Sequence, residues 1–423
     1  YRYGYEIEAM DGADIKQAKK LYSGLVFGLD EIETSKYVSY RTGWTEFTAE
    51  KTLNVSVELP AAAESAYMDL SGKIVFIVEA VQGNVQVSDG EEFEYKIADK
   101  EGFKKALEDV NTNEETASAT LTLADDFSFE DEPNNNLQIA SGKDVVIDLA
   151  GNDLTIKNEN SDGITLGSGS SLTLRNSEES GKYRFDCEAR GADGIFVSNE
   201  NDGETTILNI ESDVEINVSA NANSAIHAYA QNGNAVVNMN GATVKVNGTK
   251  QTKAIVVDQN ATLNVVNSTF ELNCDFDSYS DNNDVVGVLL WGQNGKQENI
   301  TVNIGENTVV KVGGKNAFAQ GIQIGMKNGY SQNLNINVTG GEIVLNPTEN
   351  GKGYAFTTYK NIYGKFAMSG GKVSGNVTAL ALAYIGTTDL TITGGTFTVD
   401  PTDYLAEGYT ATASNGLWTV TKG

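Results

Sequence analysis

Four acidic residues crowd one short run: Asp275, Asp277, Asp281 and Asp284 in Asp-Phe-Asp-Ser-Tyr-Ser-Asp-Asn-Asn-Asp. Hard carboxylate oxygens at alternating positions are what Ca²⁺ prefers, yet the run lacks the Gly and Glu that complete an EF-hand loop. It is therefore a candidate calcium loop in a chain that requires no cofactor, and the alternative is a solvated acidic loop. A second set, Tyr229, Asp258, Trp291 and Tyr359, combines aromatic rings with a carboxylate. Rings pack on the C–H faces of sugars while short polar groups take hydroxyls, so these four form a candidate glycan-binding platform. The alternative is that loops fold over them.

Acid–base chemistry is harder to find. The single histidine is His227, and a lone histidine on the outer side of a strand is expected to be a surface residue. Hydrolysis of a glycosidic bond needs two carboxyls at a fixed separation. With 58 acidic residues in the chain, such pairs arise by chance. No Gly-His-Gly or Arg-x-Lys occurs, no arginine follows Arg190, and Lys253 and Lys360 sit in no recognisable motif. The chain is read as non-enzymatic, with a divergent polysaccharide lyase or hydrolase as the alternative.

The elements that must position these residues follow from one repeat. Ile164, Ile195, Ile226, Ile255, Val288, Ile322 and Phe356 recur at roughly 30-residue intervals, each opening the same succession of three short strands separated by Gly/Asn-rich turns. That period, without a helical pattern, predicts an all-β parallel β-helix of about nine rungs over 119–400. Alternation turns Ile195/Val197 and their equivalents inward on first strands, and Leu208/Ile210 and theirs inward on second strands. Ser198, Tyr229, Asp258, Trp291 and Tyr359 then point outward beside Phe196, His227, Val256, Leu289 and Gln323. Asn217, Asn247 and Asn273 are expected to stack as an amide ladder on third strands. Cys187 and Cys274 point inward three rungs apart, about 14 Å at ~4.8 Å per rung, beyond disulfide reach.

Asp99 to Val110 reads as an amphipathic helix N-capped by Asp99, within a capping-helix and linker segment over 96–118. It would cover the open end of the solenoid. Tyr404, Tyr409 and Trp418 mark a closing cap over 401–423. Residues 1–95 lack the repeat. Asp14–Tyr22 suggests a short helix, and Leu53–Leu59 and Lys73–Val81 read as strands of a partial β-sandwich. Tyr1, Tyr3, Tyr5 and Ile7 alternate as a donor or receiving strand for assembly. The formal net charge of −28 argues against nucleic acid and anionic membranes as partners. No stretch is apolar and long enough to span a membrane. The chain begins without a Met or signal-like stretch, which suggests a processed product. Eight Asn-x-Ser/Thr sequons, Asn54 to Asn376, are turn and strand composition in a bacterial protein.

Leu53-Asn-Val-Ser-Val-Glu-Leu-Pro60 followed by Gly72-Lys-Ile-Val-Phe-Ile-Val-Glu-Ala-Val-Gln82 resembles the last strands of the TasA/camelysin family. The resemblance implies a jelly-roll-like module of secreted bacterial proteins, several of which form fibres by strand donation. Family domains are about twice as long, so the earlier strands are missing or replaced. From Asp99 onward, Phe103–Leu107, Gly142-Lys-Asp-Val-Val-Ile-Asp-Leu and the Gly394–Trp418 close resemble pectate-lyase-like right-handed β-helix modules of surface proteins in Gram-positive gut bacteria. Lyases of that kind commonly use an Arg or Lys base beside calcium, and this chain matches no such motif. Together these imply a secreted surface or matrix protein that homopolymerises, or joins other surface or matrix subunits, through its N-terminal module and displays a rigid β-helix. A glycan-binding adhesin is the alternative.

Overall fold

The computed structural model describes residues 2–8, 26–29, 32–33, 37–41, 54–58, 73–79, 92–113, 117–130, 135–178, 181–187, 191–219, 221–291, 299–325, 331–358, 362–383 and 387–423. From Ser118 to Phe397 the chain winds as a parallel β-solenoid of about eight turns. Among the described residues, first strands stack into a nine-stranded sheet, so the roughly nine rungs expected are joined by about eight turns. The seven anchors lie in one column, Ile164 against Ile195, Ile226, Ile255, Val288, Ile322 and Phe356 in unbroken succession. All seven are buried, and a side chain so sequestered contributes about 1.5–3 kcal/mol through apolar transfer. Cys187 and Cys274 are buried free thiols.

Turns are set by residues that tolerate positive φ. Asn260, Asn267 and Asn307 adopt φ of 51°, 52° and 54°, the left-handed region that asparagine enters more readily than bulkier residues. Just before the anchors of the first strands, side chains of the third sheet and backbone carbonyls of the next coil together demand glycine. A Cβ on Gly287 would stand 2.4 Å from Val310 Cγ1, and one on Gly163 would stand 2.1 Å from the Tyr183 hydroxyl. That hydroxyl instead donates to Gly194 O at 2.7 Å.

Both ends are covered. The helix Lys100–Thr112 is capped by Asp99, whose Oδ1 accepts from Gly102 N at 2.8 Å. It buries Phe103, Ala106, Leu107 and Val110, with Phe103 packed against Phe127 and Phe129 at 5.7 and 5.9 Å. Asn111 then satisfies the edge of the first sheet. Its amide donates to Gln138 O at 2.7 Å and accepts from Ala140 N at 2.9 Å, which blunts an otherwise open strand edge. At the far end the hairpin Tyr409–Ser414/Leu417–Lys422 turns on Asn415-Gly416, both at positive φ. It pairs antiparallel to Gly395–Phe397, with Tyr404, Tyr409 and Trp418 packed on the core as expected.

The second sheet runs further than the repeat implies. Glu92–Ile97, which contains the boundary expected at residue 95, pairs in parallel with Ser118–Leu123 and antiparallel with Tyr37–Arg41. Arg2–Glu8 and Lys73–Glu79 continue it into a single fourteen-stranded sheet. A separate antiparallel group joins Val26–Leu29, Ile32–Glu33 and Val55–Glu58. The expected helix Asp14–Tyr22 lies outside the described residues.

The third sheet carries charge. Lys182, Lys245 and Glu215 pair across three rungs at 3.0 and 2.8 Å, and Arg184 pairs with Asp153 at 2.8 Å. The amide ladder expected there does not form as written. Asn217 lies opposite Lys245, while Asn247 lies opposite Asn273. The turn from second to third strand spans 211–214 in one coil and 241–242 in the next. Counting through turns of unequal length therefore misplaced Asn217.

Candidate functional site: a clamped histidine on the first sheet

Outward residues of the first sheet meet in one polar cluster. Phe196, His227, Val256, Leu289 and Gln323 are register partners in consecutive strands. The ladder continues past the strand ends, since Asp258 N donates to Ala228 O and Trp291 N to Val257 O. Tyr229, Asp258 and Trp291 are thereby brought together as the sequence suggested. Tyr359 lies outside the described residues, as do Arg190 and Lys360.

His227 is not the surface residue expected. Its side chain is 13% exposed and stands between Asp193 and Asp258, whose side chains are 6% and 4% exposed. Asp193 Oδ2 lies 2.9 Å from Nδ1. Asp258 Oδ2 lies 3.7 Å from Nε2, too long for a hydrogen bond, so it acts on the ring through charge. Trp291 lies parallel to the imidazole at 6.3 Å, and Phe196 is tilted against it at 5.2 Å. Asp193 is held in turn. Its Oδ1 accepts from Ser224 Oγ at 2.5 Å and from Asn223 Nδ2 at 3.0 Å, and Lys253 Nζ donates to Asn223 Oδ1 at 3.1 Å.

Burial, the largest single influence on His227, pulls its pKa down, but the two carboxylates outweigh it and lift it to about 9. Opposite charge within a few ångströms favours the charged ring, and low local polarity strengthens that attraction. At neutral pH the ring is an imidazolium flanked by two carboxylates. A protonated imidazole cannot accept a proton from water or a hydroxyl, so it is no general base in this state. What it does is neutralise buried charge while joining four successive coils.

The same face holds a second small apolar cluster, Val256, Val286 and Leu289, all fully buried, with Trp291 packed against it. The face is therefore covered at these three residues. Asp258 has little left to offer a ligand, because its Oδ1 accepts from Gln259 N at 2.7 Å and its Oδ2 faces His227. Tyr229 and Trp291 remain partly exposed.

The acidic run is engaged with protein. Asp275 Oδ1 accepts from Lys315 N at 2.7 Å, Asp281 Oδ1 from the Tyr279 hydroxyl at 2.5 Å, and Asp284 Oδ1 from Gln320 Nε2 at 2.8 Å. The Asp277 carbonyl accepts from Asn316 Nδ2 at 3.3 Å. Among the described residues, no three His, Cys, Asp or Glu side chains are grouped to hold a metal. Here the run fastens a loop to its neighbouring coils.

Of the assembly residues, Tyr1 lies outside the described residues. Tyr3, Tyr5 and Ile7 sit on Arg2–Glu8, which is paired along both edges, and Tyr5 and Ile7 are buried. That strand is an interior member of the sheet rather than a free donor. Sequence reasoning missed Asp193, although it opens its strand at the same register as Ser224 and Lys253, a signal visible once the repeats are aligned from their anchors. Neither a protein-family model nor a curated protein matches this chain.

Proposed function

We propose that this chain is a secreted, non-enzymatic surface or matrix scaffold in which the N-terminal strands hold the subunit in an assembly and the solenoid projects as a stiff acidic arm. The observation that carries this reading is the fourteen-stranded sheet, which runs from Lys73–Glu79 through Arg2–Glu8, Tyr37–Arg41 and Glu92–Ile97 into the coils. Load applied to the N-terminal strands passes into the arm through backbone hydrogen bonds rather than through a flexible linker. The clamped state of His227 is in keeping with a structural role for that cluster.

Subunits join at the edge Lys73–Glu79, whose one neighbour among the described strands is Arg2–Glu8. Phe76 on that edge is 44% exposed, an arrangement suited to strand addition by a second copy. Negative-stain electron microscopy over a concentration series tests this. Filaments are expected for the natural chain and isolated rods for Phe76→Lys, which sets charge on the pairing edge. Isolated rods for both proteins would overturn the assembly half of the reading.

A further inference from the structure

The outer face of the second sheet carries a run of strands without charge. Its strands Thr205–Ile210, Asn234–Asn240, Ala261–Val266, Ile300–Ile304 and Ser331–Val338 contain no charged residue. In a chain of net charge −28 this is an isolated neutral strip, bordered by Arg175 on one flanking coil and Lys365 on the other. The strip is ordered by an asparagine ladder. Asn238 donates to Asn209, Asn264 to Asn238, Asn303 to Asn264 and Asn337 to Asn303, at 3.0, 2.9, 2.8 and 2.9 Å. Each primary amide has two N–H groups and two lone pairs. The ladder uses one of each at the interior positions, which leaves one N–H and one lone pair per amide outside the ladder.

Beside the ladder, Ile207, Val236, Thr262 and Thr301 form a second outward column, partly exposed, and Val266 is 38% exposed on the other side. Five ladder positions at ~4.8 Å per coil extend over roughly 19 Å. The strip thus offers fixed amide donors and acceptors beside methyl groups, in a straight line without charge.

We infer that this strip binds an uncharged polysaccharide lying along the solenoid axis. Hydroxyls have the donor–acceptor character the free amide valences need, and the C–H faces of sugar rings fit the methyl column. An acidic glycan would be repelled by the chain's net charge. A neutral polymer meets no such barrier. Fixing the amides in advance lowers the ordering cost of binding. This inference goes beyond the scaffold reading and stands whether or not the chain forms filaments.

Affinity electrophoresis of the full chain tests it, in native gels containing hydroxyethylcellulose, xyloglucan, glucomannan or soluble starch, with polygalacturonate as the acidic comparison. Retardation is expected in at least one neutral gel and not in polygalacturonate. Thr262→Glu/Thr301→Glu places carboxylates on the strip without touching the ladder, and should weaken retardation at least tenfold. Thr262→Glu alone should weaken it less, while Tyr229→Ala on the first sheet should leave it unchanged. Melting curves establish that each variant is folded. Four results would overturn the inference: no retardation in any neutral gel, equal retardation in polygalacturonate, retardation insensitive to the glutamates, or a concentration-dependent dimer in sedimentation velocity that the glutamates abolish. The last would assign the strip to a second copy of the chain.

Discussion

At the scale of single residues, His227 makes the sharpest prediction. Its pKa is about 9 in the folded chain against an ordinary value near 6.5 once unfolded. A group raised in this way adds stability that is fully present below about pH 6.5 and is lost as pH rises through about 9. The difference corresponds to something on the order of 3 kcal/mol. Chemical denaturation from pH 6 to 10 should show this decline, and His227→Gln should flatten it. The same substitution leaves Asp193 and Asp258 buried without their countercharge, and breaking a buried pair in this way costs about 3–5 kcal/mol. A variant as stable as the natural chain at pH 7 would show that the cluster holds nothing together. Strand alternation correctly put His227, Tyr229, Asp258 and Trp291 on one side of the first sheet. It could not show that this side is covered in part, because period-two patterning separates core from non-core and not non-core from solvent. Asp258 was picked out as a ligand contact and proves to be the charge partner of the histidine.

At the scale of elements, what was legible depended on distance from the anchors. The helix Lys100–Thr112, its Asp99 cap and its buried face were readable because all lie within one continuous period. Replacing Asp99 with Ala should cost about 1 kcal/mol, read as a lowered denaturation midpoint with unchanged slope. The amide ladder was placed on third strands but lies on second strands, because turn lengths vary between coils and each turn shifts the count. The glycines before the anchors were likewise hidden, since the demand comes from side chains and carbonyl oxygens of other strands. Gly287→Ala brings a methyl group within 2.4 Å of Val310 Cγ1, an overpacked site expected to cost about 1–3 kcal/mol. The deficit should ease only in part when Val310→Ala is added, because the Gly321 carbonyl oxygen also stands 2.6 Å from that methyl position. Two fully independent losses would show that Val310 is not the source of the crowding.

At the scale of the whole molecule, the repeat declared the solenoid, and nothing local declared the continuity of its second sheet with the N-terminal strands. Parallel pairing of Glu92–Ile97 with Ser118–Leu123 is a contact across a helix, which no short-range pattern encodes. Electrostatics at this scale oppose two effects. The cross-coil pairs of the third sheet are partly exposed, and each such pair is worth about 0–1 kcal/mol. The surplus of 28 negative charges repels itself throughout the molecule, and salt screens that repulsion. Repulsion should win, so the melting temperature should rise from 20 mM to about 500 mM NaCl, where the Debye length is a few ångströms. A falling melting temperature would mean that the ion pairs dominate.

The two ends of the solenoid differ in kind from its middle. A helix seals one and an antiparallel hairpin the other, while each inner coil meets only coils like itself through the same register. An inner coil could therefore be duplicated or deleted without redesigning either seal. Each such change would move the far tip by ~4.8 Å. The length of the solenoid is thus a quantity that descent can adjust in small equal steps, with the helix-sealed end and the hairpin-sealed end both left as they are.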